Sequence, residues 1–146
     1  VTRRGSGSRS VIAAVATAAW SLLIVRDLMF KYRRTYNDFL GGGEGIASNI
    51  LADRLLKLEG AGIIEKRRDP SDARRFVYRL SEKGIDLAPV LVELVIWSAR
   101  HETTDAPPSV VRAMRSDRAA FIANVRKQWM VLRQSSRTEA SGNVMV

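Results

Sequence analysis

Apolar residues recur three and four apart along most of this chain, the period of a helix buried on one face, and alternate with polar ones over only one short stretch. The pattern predicts helices at about 10–18 and 20–31, then a short helix from Tyr36 to Leu40 with Thr35 as its N-cap. The glycine-rich segment 41–45 is a turn. It is not a phosphate loop, because no Gly-Lys-Ser/Thr follows it. Between 46 and 60, Leu51, Leu55 and Leu58 mark one face of an amphipathic helix, with Ser48 as the predicted N-cap and Gly60 and Gly62 as the stop. Segments 63–68 and 75–80 read as two strands joined by a turn over 69–74, which opens with Asp69-Pro70. Ser81 caps a helix predicted over 82–101, where Pro89 demands a kink or break near 85–88. Ala106-Pro107-Pro108 separates this from a last helix at 109–133, followed by a polar, frayed tail.

The predicted fold class is therefore mainly α with a small β-hairpin. Helix, short helix, turn, amphipathic helix and basic hairpin, in that order, make a winged helix-turn-helix domain with C-terminal helices added. Three segments follow: a flexible basic tail at 1–9, a DNA-binding and dimerisation domain at 10–101, and a helical extension with its tail at 102–146.

Composition narrows the function. The chain has 146 residues, 24 Lys+Arg against 15 Asp+Glu, one His and no Cys, for a net charge of +9 and a pI near 10.8. Without cysteine there are no disulfides, thiolate metal sites or thiol catalysis, and His101 alone cannot build a His-rich metal centre. The carboxylates are scattered beside Lys and Arg with no nucleophile–base set, so no enzyme, cofactor or metal is expected. The positive excess favours a polyanionic partner, nucleic acid before membrane. The basic start followed by uncharged residues 11–25 resembles a secretory signal, but it ends at Arg26-Asp27, short of a membrane span. The soluble reading, with Trp20, Leu23, Ile24, Met29 and Phe30 as core, is preferred, and no membrane partner is expected.

The segments Trp20–Phe30, Arg33-Arg34, Tyr36–Leu40 and 45–55, continued by 58–64, Tyr78–Gly84 and Asp86–Val90, resemble the HxlR-type bacterial transcriptional regulators. The resemblance spans roughly 10–100 and implies a homodimeric repressor or activator in the bacterial cytoplasm. Such regulators often carry a sensing cysteine ahead of the Trp, which this chain lacks. The Asp69-Pro-Ser-Asp72 loop with Arg74-Arg75 looks more like a MarR-type wing.

With Leu51, Leu55 and Leu58 inward, helical geometry turns Asn49, Asp53 and Leu56 outward, with Ala52 and Lys57 on the flanks. Asn49 is the candidate for base contact, since an amide can bond adenine twice. Asp53 either accepts from a cytosine amino group, orients an arginine, or pairs with Lys57. Leu56 touches a thymine methyl or borders the core. Arg33, Arg34, Ser48, Arg54, Arg74 and Arg75 are candidates for phosphate, with a minor-groove role open to Arg74 or Arg75, and Lys57 is a further DNA-contact candidate. Residues 85–97 are apolar on nearly every side, so more than one neighbour must cover them. Leu87, Leu91, Leu94, Val95 and Trp97 are the candidate homodimer interface; the alternative is that helix 109–133 folds back over them. Double-stranded DNA read as a roughly palindromic operator is the expected partner, a small-molecule effector is conceivable, and a winged-helix protein–protein module is the rival reading.

Overall fold

An alanine-rich run free of glycine and proline has no reason to stop at residue 18. The computed structural model, which describes residues 11–142 and side chains over 19–137, shows one continuous helix, α1 (Val11–Phe30), where two were expected. The predicted basic tail at 1–9 lies outside the described residues. Tyr32, at φ 53, turns the chain out of α1 in the left-handed region, and the Lys31 and Arg33 N–H groups both return to the Asp27 carbonyl.

Thr35 caps α2 (Tyr36–Leu40) as predicted: its hydroxyl accepts from Asp38 N–H while the Asp38 carboxylate accepts from Thr35 N–H, a capping box. The turn that follows leads into α3 (Ser48–Gly60). Here the cap differs from expectation. Ala47 occupies the N-cap with no side-chain bond, and Ser48 is already helical, so its hydroxyl caps nothing. Leu51, Leu55 and Leu58 are buried, and Gly62, at φ 74, reverses the chain into the hairpin.

The hairpin pairs β1 (Ile64–Asp69) with β2 (Asp72–Leu80), antiparallel, in the register Ile64 to Leu80, Lys66 to Tyr78 and Arg68 to Phe76. The turn is shorter than predicted, because β2 begins at Asp72. Ser81 then caps α4 (Glu82–Ile85), accepting from Gly84 N–H. The break demanded by Pro89 falls at Asp86-Leu87, and Pro89 takes the first turn of α5 (Ala88–His101), where it lacks no needed donor. The single helix expected at 109–133 is two, α6 (Pro108–Ser116) and α7 (Arg118–Gly142), separated at Asp117. Helix α7 also runs well past Arg133, where fraying was expected. Asp117 explains the break, because its carboxylate accepts from Ala120 N–H and starts a new helix.

One core gathers Ile24, Val25 and Met29 of α1, Phe39 of α2, the three leucines of α3, Ile64, Tyr78 and Leu80 of the hairpin, Ile85, Ala88, Leu91, and Val125 of α7. A second, smaller cluster joins Val92 and Ile96 of α5 to Met114 of α6. Gly84 matters to the first. A Cβ there would run into the Ile63 backbone carbonyl and the Leu80 side chain, neither of which can yield freely. Gly84→Ala is expected to cost about 3 kcal/mol, seen as a lower urea midpoint at unchanged slope. An unaltered midpoint would refute this close approach.

Candidate nucleic-acid interface

Helix α3 is fixed from two sides. Its three leucines enter the core, and the Tyr36 hydroxyl donates to the Ser48 carbonyl at 2.9 Å, tying α2 to its first turn. What faces out is Ser48, Asn49, Ala52, Leu56 and Lys57, all exposed. Leu56 is 70% exposed, so it does not border the core. Asp53 is paired on both sides, with Arg54 Nη1 at 2.6 Å and Lys57 Nζ at 3.0 Å. The Lys57 hydrogen bond leads in holding its carboxyl below the ordinary range, with the charges of Lys57 and Arg54 adding to it. It thus cancels charge on this face rather than adding a free acceptor. The Arg54 side chain is only 15% exposed, which withdraws it from the surface where a phosphate contact was expected.

Arg33 and Arg34 part company. Arg33 does not face solvent as a phosphate ligand: its Nη1 donates at 2.8 Å to Oδ2 of Asp27, a carboxylate only 4% exposed. Arg26 Nη2 reaches the other oxygen of Asp27 at 2.8 Å and Glu44 at 2.8 Å. Gly42 lies so close to the Arg33 guanidinium that a Cβ would press on Nη1. A buried carboxylate between two guanidinium groups is the physical reason for the correction. Arg34, by contrast, is exposed, its side chain free of partners among the described residues, while its carbonyl accepts from Tyr78 N–H at 2.8 Å. That bond pins the loop carrying Arg34 to β2.

At the hairpin tip, Arg75 is held by Asp69 at 2.6 Å, and Asp69 also accepts from Ser71 N–H and hydroxyl. The Ser71 hydroxyl and Arg75 together bring the Asp69 carboxyl down to about 2, so the pair is intact at neutral pH. Arg74 is exposed and its guanidinium is free, only its backbone N–H being taken, by Asp72. Lys66, Arg67 and Arg68 are further exposed cations of the hairpin that the sequence reading left out of the site. Lys66 and Arg68 sit over the Phe76 ring at 4.2 and 5.1 Å. Their run of three basic residues was the available signal, but alternation alone does not say which side of a hairpin stays open.

On α5, Leu91 is 3% exposed and packs in its own chain's core, so it cannot form part of a partner-facing surface. Helices α6 and α7 do fold back, covering the Val92–Ile96 side. They leave Val90, Leu94 and Trp97 exposed at 49%, 42% and 56%, four and three residues apart on one helix face. Leu87 and Val95 are half-buried beside them. Among the described residues no group of three or more His, Asp or Glu could hold a metal ion, and no helix is long and apolar enough to cross a membrane.

An amphipathic third helix with an open polar face, a short capped helix behind it and a cationic hairpin beside it define the class: a winged helix-turn-helix protein of transcriptional-regulator type. The chain belongs to the HxlR-like helix-turn-helix family, whose sequence profile it matches over residues 15–106. It is 34% identical over 94 residues to an uncharacterised HTH-type transcriptional regulator of Mycobacterium tuberculosis, a match covering 64% of this chain. The chain spans only 58% of that relative's length. It is 32% identical over 79 residues to the HTH-type transcriptional regulator YodB of Bacillus subtilis, covering 54% of this chain and 70% of YodB. Among solved structures, the candidate transcription factor PA1607 is similar at a TM-score of 0.55 and 30% identity, over 73% of this chain and 74% of that one. These relatives are regulators rather than enzymes.

Proposed function

We propose that this chain is a sequence-specific, DNA-binding transcriptional regulator that acts as a homodimer on a roughly palindromic operator in the bacterial cytoplasm. The observation that carries the reading is the division of charge around α3. Its outward face keeps Asn49 open and its one carboxylate there, Asp53, held by Arg54 and Lys57, while the guanidinium groups of Arg34 and Arg74, unpaired among the described residues, stand on the loop and the wing. Free cations on the flanks suit phosphates, and an uncommitted amide on the helix suits a base edge. Leu56, exposed on the same face, suits a thymine methyl. The exposed Val90, Leu94 and Trp97 face supports the dimer, because a two-fold axis through α5 pairs two copies of α3.

The test is duplex binding across a salt series, beside sedimentation of the free protein. Log affinity is expected to fall linearly with log salt, at a slope of about 0.9 per phosphate contacted. Failure to retain any duplex at low salt would favour a winged-helix protein–protein module instead. Asn49→Ala is expected to remove about 1–3 kcal/mol of preference for operator over random duplex while leaving the salt slope unchanged. Equal losses on both duplexes would reassign Asn49 to backbone positioning.

A further inference from the structure

A groove of about 510 Å³ separates the hairpin from α7; Arg34 and Arg75 stand at its rim, and its α7 wall, with Trp129, Leu132 and Arg133, takes no part in the DNA reading. Its apolar lining comes from Leu28, Val77, Leu80, Trp129 and Leu132. Its cationic lining includes Arg67, Arg79 and Arg133. A single carboxylate, Glu65, stands against these three: it accepts from Arg79 Nε at 2.6 Å and from Arg133 Nη2 at 3.4 Å. Burial alone would push Glu65 upward, yet the hydrogen bond from Arg79 and the surrounding guanidinium charges bring it below the usual range. Arg67 is depressed, by burial first and then by repulsion from Arg79, Arg133 and Arg137, which outweighs the help of Glu65. The Nη1 groups of Arg79 and Arg133 are shut off from solvent with no hydrogen-bond partner among the described residues. Buried donors left unanswered are destabilising, and positive charge here exceeds the negative charge that meets it. The two other carboxylates along the groove are already committed, Asp38 to the cap of α2 and Asp69 to Arg75 and Ser71.

We propose that this groove binds a small amphipathic carboxylate, its apolar body against Val77, Trp129 and Leu132 and its head among Arg67, Arg79 and Arg133. The volume lies within the 300–1,000 Å³ usual for small-ligand sites, and an apolar floor with a few converging charges is their usual make-up. A nucleic-acid backbone would leave that floor uncovered. Trp129, Leu132 and Arg133 belong to α7, beyond the segment matched to the family, so the site depends on residues outside that segment. The ligand would touch β2, the strand that also carries Arg74, and so bear on how the wing is set. That consequence for operator affinity rests on the DNA-binding reading; the binding itself does not, and the experiment reads only the binding.

The probe is 2-naphthoate, with 2-naphthalenemethanol as its uncharged counterpart, added to the full chain labelled at the indole nitrogens of Trp20, Trp97 and Trp129. Trp129 is a built-in reporter, since its Nε1–H donates to the Leu80 carbonyl at 2.9 Å across the groove wall. Naphthoate is expected to shift the Trp129 signal saturably and leave Trp97 still, with the alcohol at least about tenfold weaker. Arg133→Gln is expected to weaken naphthoate about tenfold, as loss of one charge-assisted bond does, without affecting the alcohol. Should that variant lose its circular-dichroism signature, the exposed Arg67→Gln takes its place with the same expectation. Absence of saturation at millimolar naphthoate, equal affinity for the alcohol, or parallel shifts of Trp97 and Trp129 would each overturn the proposal. So would displacement of naphthoate by duplex DNA, which would make the groove part of the DNA path.

Discussion

Replacing Asp27 with asparagine is expected to destabilise the fold by about 3 kcal/mol, although the change is nearly isosteric. The carboxylate is almost wholly buried and receives Arg26 and Arg33 on separate oxygens, each guanidinium only 20–24% exposed. Asparagine offers one acceptor instead of two and no charge, so the partly desolvated Arg33 loses its carboxylate and Arg26 is left with the more exposed Glu44. Breaking a buried pair from one side typically costs 3–5 kcal/mol; the residual exposure of both arginines places this case at the lower end. For a chain of this length the melting temperature should fall by about 10 °C. The double variant Asp27→Asn/Arg33→Met should recover part of the loss, because the stranded charge leaves with its partner. A denaturation midpoint unchanged in the single variant would mean the clamp contributes nothing.

The second large effect is on DNA. Arg34→Ala with Arg74→Ala is expected to weaken operator and random duplex alike and to flatten the salt slope by about 1.8, two phosphate contacts' worth. The contrast within each arginine pair gives the prediction its force. Arg33→Ala should lower stability with little change in slope, because Asp27 already neutralises that charge in the protein. Arg75→Ala should flatten the slope less than Arg74→Ala, since Asp69 holds Arg75. Equal slopes for all four single variants would refute the assignment of contacts by free charge.

Sequence pattern disclosed what local chemistry decides. The leucine spacing of α3, the Thr35 and Ser81 caps, the hairpin and the break forced by Pro89 all rest on residues a few positions apart, and all are present. The failures share a different cause. Arg33 read as a surface cation because Asp27, six residues earlier on an apolar stripe of α1, becomes its partner only after the chain turns at Tyr32. The available clue was the carboxylate itself, set among Ile24, Val25, Leu28 and Met29 with an arginine adjoining. Leu91 read as interface because periodicity shows that a helix is apolar all round, not which neighbour covers which side. Glu65 and Arg79 face each other across the hairpin, but Arg133 joins them only through the return of α7, and no spacing in the sequence announces that.

The indole of Trp129 closing on the last carbonyl of the wing has a consequence for what is modular here. The match to the family profile ends at residue 106, yet Val125 completes the same core as α3, and Trp129 answers a peptide group of β2. A protein trimmed to the profile match would therefore open a hole beneath α3 and strand a carbonyl at the root of the wing. Kinship and packing draw different borders on this molecule: the family pattern stops beside a proline-rich loop, while the packed core continues into the long final helix.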